Sequence, residues 1–341
     1  MKSIKTLLLA AACVIAMPAL AQELNYTTSQ PLMLPTDTFF GSVFGVATNS
    51  KGHVFVYTRN GDPVITLAGS RAFARGGSSL YEFGPDGKFI RQIGKQNYGF
   101  LAAQQVRVDK EDNIWVVDRY SNMVIKFDPQ GQLAMTLGRK PEAVVVPAPA
   151  ETGRGDPPGS GAQADVFQSP ADVAFDANGN IFVADGIGNS RVAKFTRDGV
   201  FVKSWGSRGA ANNQFQAAHG IAVDNQGNVY VGDRGNRRIQ VFDNDGNFKS
   251  SITTGGDPQA ICMSPGPHQY LFSSNSNPPE DFDQGGEIYK LELNGTVVGK
   301  FGQAGKAPKD FGTVNSIDCR DPNSLYVGEA ANWRVTKVTL R

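Results

Sequence analysis

Histidine, cysteine and any excess of one charge are all scarce in this chain of 341 residues. Three cysteines are present, and Cys13 lies in an N-terminal apolar stretch, so only Cys262 and Cys319 remain in the body of the chain, too few for a disulfide framework. Whether those two bridge is open from sequence, because facing geometry is not legible there. Lys and Arg total 33 against 32 Asp and Glu, a formal net charge of +1. That balance argues against nucleic acid as the partner, since neutralising phosphates needs a basic excess. Beyond the N-terminal stretch no apolar run approaches the roughly 20 residues that span a bilayer, so no membrane span is expected.

The N-terminal stretch itself, MKSIKTLLLAAACVIAMPALA, has two lysines, an apolar run from Leu7 to Met17, and Ala19-Leu20-Ala21 before Gln22. This is the layout of a cleavable export signal over residues 1–21, with the mature chain beginning near Gln22. Cys13 as a lipidated cysteine fits less well, being preceded only by alanines. The protein is expected to be exported, periplasmic or secreted, and to be a monomer.

What the chain does have is glycine, 39 residues without a collagen period, which signals many turns. It also has an internal repeat. Residues 216–248 read QAAHGIAVDNQGNVYVGDRGNRRIQVFDNDGNF; residues 169–202 read SPADVAFDANGNIFVADGIGNSRVAKFTRDGVFV and match nearly position for position. Residues 103–135 give a third copy, and divergent copies begin at Phe44, near Gln259 and near Ser316. Each copy holds a short apolar strand, a turn rich in Asn, Asp and Gly, an aromatic-containing strand, a third strand, and a fourth after a second turn. Four antiparallel strands with both faces partly apolar must stack on neighbours, and a closed ring leaves none without one. The expected fold is all-β: a six-bladed β-propeller over residues 22–341. The last copy has only three strands before Arg341, so the segment ELNYTTSQPLMLP after the leader is the candidate for the missing outer strand. Long loops are expected near 60–79, 140–166 and 275–286, the usual place for binding function on a rigid scaffold.

NGNIFVADGIGNSRVAKF and GNVYVGDRGNRRIQVF resemble NHL repeats. Within that class the chain is most similar to the peptidyl-α-hydroxyglycine α-amidating lyase group, through FGVATNSKGHVFVYTRNGD, DNIWVVD, AAHGIAVDNQGNVYVGDRGNRRIQ and LYVGEAANWRV. The resemblance implies a zinc ion held by three histidines at blade entrances, assisted by arginines and a tyrosine. Carried over, the middle histidine is His219; the first falls on Gln104 and the third on Asn315, or on Val314 if the gap is placed differently. The tyrosine falls on Ile187, while Arg59 and Arg234 persist. His53 and His268 sit in turns at the other ends of the second strands, so three imidazoles are not expected to meet. Gln and Asn carbonyls are poor zinc donors, and zinc is not expected.

Blade entrances converge, so Gln104, His219 and Asn315 are expected to face one cavity, with Arg59, Asp118, Asp185, Asp233 and Arg234 at the same end. Asp185 and Asp233 also read as aspartates tying down their own turns. Arg107 and Asp318 interrupt a small-residue pattern formed by Ala47, Ala174, Ala222 and Cys262, and are candidates to pair within the channel. The acidic residues Glu280, Asp281, Asp283 and Glu287 are a candidate structural calcium site, although they lack a calcium-loop spacing. Two functions follow. One is binding of a small, anionic ligand or a protein partner at the His219 end, with Gln104, Asn315, Arg107 and Asp233 contributing. The other is a metal-independent lyase, hydrolase or isomerase with His219 as acid or base and Arg59 and Arg234 stabilising an anion.

Overall fold

The computed structural model describes residues 21–60, 64–67, 71–74, 77–139, 166–253, 255–276 and 284–341. Residues 1–20 of the expected leader, most of the expected 140–166 loop, and Glu280, Asp281 and Asp283 of the calcium candidate lie outside the described residues.

Six four-stranded antiparallel sheets, each with its first strand innermost, make the six blades. The inner strands of blades 1 to 6 are Ser42–Thr48, Ala103–Val108, Asp172–Phe175, Ala218–Val223, Ile261–Met263 and Val314–Asp318. The short connections at one end of the ring share one device. Asp109, Asp176 and Asp224 each accept hydrogen bonds through Oδ1 from the backbone N–H groups two and four residues on, and Asn49 does the same in blade 1. An Asx side chain thereby imposes the turn, which is why Asp, Asn and Gly recur there.

Blade 6 takes its outer strand from the start of the chain: Tyr26–Ser29 pairs with Arg334–Leu340, in the register Tyr26 to Leu340 and Ser29 to Lys337. The expected closure by the N-terminal segment is present. Successive blades are glued by apolar clusters, for example Phe55, Tyr57 and Leu80 of blade 1 against Val106, Val116 and Phe127 of blade 2. Ala222, Tyr230 and Ile239 of blade 4 face Ile261, Leu271 and Leu291 of blade 5 in the same way. No helix among the described residues is long and apolar enough to cross a membrane.

The inner strands crowd the axis. A Cβ on Gly45 would lie 2.4 Å from the Val106 backbone nitrogen, so the strands of blades 1 and 2 pass at a distance only glycine permits. Halfway along, the axis is plugged. The Arg107 guanidinium makes a bidentate pair with Asp172 at 2.9 and 2.6 Å and also donates to the carbonyls of Ile317 and Ile261, while Gln105 Oε1 accepts from Ser316 Oγ. The expected Arg107–Asp318 pair is thus replaced. Asp318 instead accepts from the backbone and hydroxyl of Thr48, because its place at the end of its strand brings it against blade 1.

Cys262 and Cys319, on the inner strand of blade 5 and just after that of blade 6, are joined as a disulfide. It ties two neighbouring blades across a sequence separation of 57. Replacing both by serine should lower unfolding stability by about 2–4 kcal/mol. Urea denaturation checks this: reductant should shift the wild-type midpoint and leave the double variant unmoved.

Candidate functional site

The end of the ring opposite the Asx turns holds a cavity of about 400 Å³, walled by Phe44, Arg59, Gln104, Arg119, His219, Arg234, Gln259, Asn315 and Trp333 among others. Four of these arrive by one backbone irregularity. In blades 1, 2, 4 and 6 the register of the inner strand against the second strand shifts between Val43 and Gly45, Ala103 and Gln105, Ala218 and Ile221, and Val314 and Ser316. The displaced residues are Phe44, Gln104, His219 with Gly220, and Asn315. A bulge turns a side chain out of the sheet's alternation, and here the residues it displaces wall the axial cavity. It also places Asn315, not Val314, in register with Gln104.

The arginines follow a second repeat rule. Thr58, Asp118 and Asp233 pair with Val43, Ala103 and Ala218, so Arg59, Arg119 and Arg234 each stand one residue beyond the same position of blades 1, 2 and 4. Arg119 was not among the sequence candidates. Its signal was available in the aligned YTRN, VDRY and GDRG. No carboxylate is among the residues walling the cavity. Arg234 has Asp257 beside it at 3.2 Å, and Arg59 lies with its guanidinium carbon 3.6 Å from the Phe44 ring centroid. Burial, with the neighbouring Arg119 charge, lowers the Arg59 pKa to about 10, which leaves it charged at neutral pH.

Hydrogen bonding sets the orientation of every polar group between these arginines. Arg59 Nη2 donates to Gln104 Oε1 at 2.9 Å, so the Gln104 amide nitrogen faces His219 Nε2 at 3.1 Å. His219 Nε2 must therefore accept, and its Nδ1–H donates to the Gln259 carbonyl at 2.7 Å. Asn315 Nδ2 donates to the Phe44 and Gln104 carbonyls, so its Oδ1 is the acceptor for Gln259 Nε2 at 2.6 Å. Gln259 Oε1 is left buried with no partner, and so is Nε of Arg119. A buried polar atom without a partner costs about 1–3 kcal/mol, so this wall holds unused hydrogen-bonding capacity.

The remaining sequence candidates separate from the cavity. Asp233 and Asp185 are fully buried clamps, holding Arg238 and Arg191 at 2.9 Å and accepting from Gln216 and Gln168 backbone N–H groups. Glu329 holds Arg334 alike in blade 6. Arg107 belongs to the axial plug. His53 pairs with Glu82, and His268 with Glu292. Glu287 accepts from Asn275, and no group of three His, Cys, Asp or Glu suited to a metal occurs among the described residues.

Fold and site together define a six-bladed antiparallel β-propeller whose channel mouth is ringed by arginine. Its blades carry NHL repeats: the family model of that name matches residues 167–195 and 215–242. The chain is related to amidating enzymes. It is 31% identical over 261 residues to peptidyl-glycine alpha-amidating monooxygenase A of Xenopus laevis, covering 72% of this chain and 26% of that protein. It is 29% identical over 267 residues to peptidyl-alpha-hydroxyglycine alpha-amidating lyase 1 of Drosophila melanogaster, covering 71% of this chain and 45% of that one. The chain therefore spans less than half the length of either relative. Among solved structures, a streptogramin B lyase superposes with a TM-score of 0.57 at 12% identity, over 93% of this chain and 98% of that one, a likeness of fold.

Burial first, and then the Arg234 charge, lower the His219 pKa from 6.5 to about 3. The imidazole is neutral in the folded protein at pH values where the unfolded chain would protonate it. Its contribution is intact above pH 6.5 and is lost as pH falls toward 3, at about 1.4 kcal/mol per pH unit. In urea unfolding at pH 7 and pH 4, His219→Gln should lose less stability on acidification than the wild type, by more than about 1 kcal/mol.

Proposed function

We propose that the protein binds a small ligand bearing a carboxylate or similar oxyanion at the His219 mouth of the channel. The observation that carries this reading is the convergence of Arg59, Arg119 and Arg234, from equivalent positions of three blades, on a cavity without a lining acid. Guanidinium groups recognise planar oxyanions through paired, charge-assisted hydrogen bonds, and a partly enclosed cavity strengthens such bonds relative to water. Phe44 and Trp333, the latter 58% exposed at the rim, supply aromatic surface for the rest of the ligand.

The donor set does not suit zinc. One imidazole faces the site, while the Gln104 and Asn315 carbonyl oxygens are already engaged by Arg59 and Gln259, and the surrounding charge is positive. A cation would be repelled where an anion is attracted. A general-acid role for His219 is disfavoured as well, because with a pKa near 3 it is not an imidazolium at neutral pH and its one N–H is held by the Gln259 carbonyl. The reaction of the amidating relatives is accordingly not assigned to this chain.

Thermal-shift and calorimetric titration with citrate, succinate and inorganic phosphate tests the reading. At least one should bind saturably, and Arg119→Met should weaken it by about tenfold or more, the worth of one charge-assisted hydrogen bond. A positively charged probe such as choline should not bind. Equal affinity in the wild type and Arg119→Met would refute the proposal.

We further propose that the protein works outside the cytoplasm. The leader of residues 1–21 and the Cys262–Cys319 bridge support this together, since disulfides persist in oxidising compartments. Amino-terminal sequencing of the protein recovered after cell fractionation should give a chain starting near Gln22 in the exported fraction; an intact Met1 in the cytosol would contradict it.

A further inference from the structure

The opposite mouth of the channel, beyond the Arg107–Asp172 plug, holds a second cavity of about 310 Å³. No residue lines both cavities. The second one is built by the repeat itself. At one register position of the six inner strands stand Ala47, Arg107, Ala174, Ala222, Cys262 and Asp318, and all six line it. Each is paired across the sheet with an aromatic residue of the second strand: Phe55, Trp115, Phe182, Tyr230, Phe272 and Tyr326. The bulky partner packs between blades while the small inner residue faces the axis, so three alanines and a disulfide sulfur leave a space that larger side chains would fill. Phe175, Ile221 and Met263 extend the apolar wall.

Charged groups of both signs stand at the rim, and Arg320 is the arginine there that no ion pair within 4 Å holds among the described residues. The carboxylates of Asp109 and Asp318 are spent inside the fold: Asp109 on its own turn and on Trp115 Nε1, Asp318 on Thr48. Arg107 is held by Asp172. Arg320 is half-buried at the rim, makes one long side-chain hydrogen bond, 3.4 Å to the Val108 carbonyl, and has the Asp112 carboxylate as a neighbouring charge. Lys110 also lines the cavity, with its ammonium on the Ala177 carbonyl and 3.8 Å from Glu111.

From this arrangement we propose a second binding site, for an amphipathic small molecule with an apolar or aromatic body in the alanine-walled space and one anionic group at Arg320. Body and head are recognised by different physics. Apolar burial contributes about 25 cal/mol per Å² removed from water, and the guanidinium selects the sign of the head group. This inference is independent of the ligand proposed for the His219 mouth.

The test uses 8-anilinonaphthalene-1-sulfonate, a fluorescent molecule with an aromatic body and a single sulfonate, titrated into the full mature protein. Saturable binding of one equivalent that persists in excess citrate is expected, which separates this site from any binding of the sulfonate at the arginines of the other mouth. Ala174→Phe fills the space and should weaken it by about tenfold or more; Arg320→Glu, on the rim where folding is least at risk, should weaken it about threefold to tenfold. Arg119→Met should bind the dye as the wild type does, and citrate should not displace it. Absence of saturable fluorescence, or binding lost in Arg119→Met and kept in Arg320→Glu, would overturn the proposal.

Discussion

The convergence of six inner strands on one axis is the constraint on which the rest of this protein depends. Around so narrow a ring there is room for about one side chain per blade at each level, and the level decides its chemistry. At one mouth bulges aim Phe44, Gln104, His219 and Asn315 into the cavity. At mid-height Gln105, Asp172 and Ser316 close the axis with Arg107. At the other mouth alanines leave it open. The aromatic residues that the same repeat places on the second strands lie in the apolar clusters between blades.

Electrostatics divides along the same axis. The repeat carboxylates Asp185, Asp233 and Glu329 sit one strand away from the cavity and are each consumed by an arginine of their own blade. Arg59, Arg119 and Arg234 stand one residue beyond that position and line the cavity, Arg234 with Asp257 beside it. His219 lies between these three cations and is buried, and both facts push it to the neutral form. The His219 imidazole is held from both sides by hydrogen bonds within the wall. Its tautomer is dictated by Arg59 through Gln104 on one side and by the Gln259 carbonyl on the other.

The loops obey the same polarity. The interruptions after Arg59, Gly138 and Asn275 all leave strands that end at the His219 mouth, whereas the opposite end is kept short by the Asx turns at Asp109, Asp176 and Asp224. Sequence reading expected long loops at those interruptions because the segments break the rhythm of the repeat. It found the inner-strand candidates by aligning copies, but it left Asn315 and Val314 as alternatives because a bulge has no letter of its own. It passed over Arg119, which the same alignment contains, and grouped Asp233 and Arg107 with the cavity.

The linear order of residues determined the blade count, the four-strand rhythm, and the need for the segment around Tyr26 to finish the last blade, because local turn chemistry and strand alternation repeat with the copies. Tertiary structure decided everything that depends on how blades face one another. Arg107 chose Asp172 over Asp318, Cys262 met Cys319, and three arginines from separate blades came to share one cavity. Such partnerships run between blades, joining residues tens to hundreds of positions apart. No local pattern encodes them, since they arise only when the ring closes and each inner strand is given its neighbours.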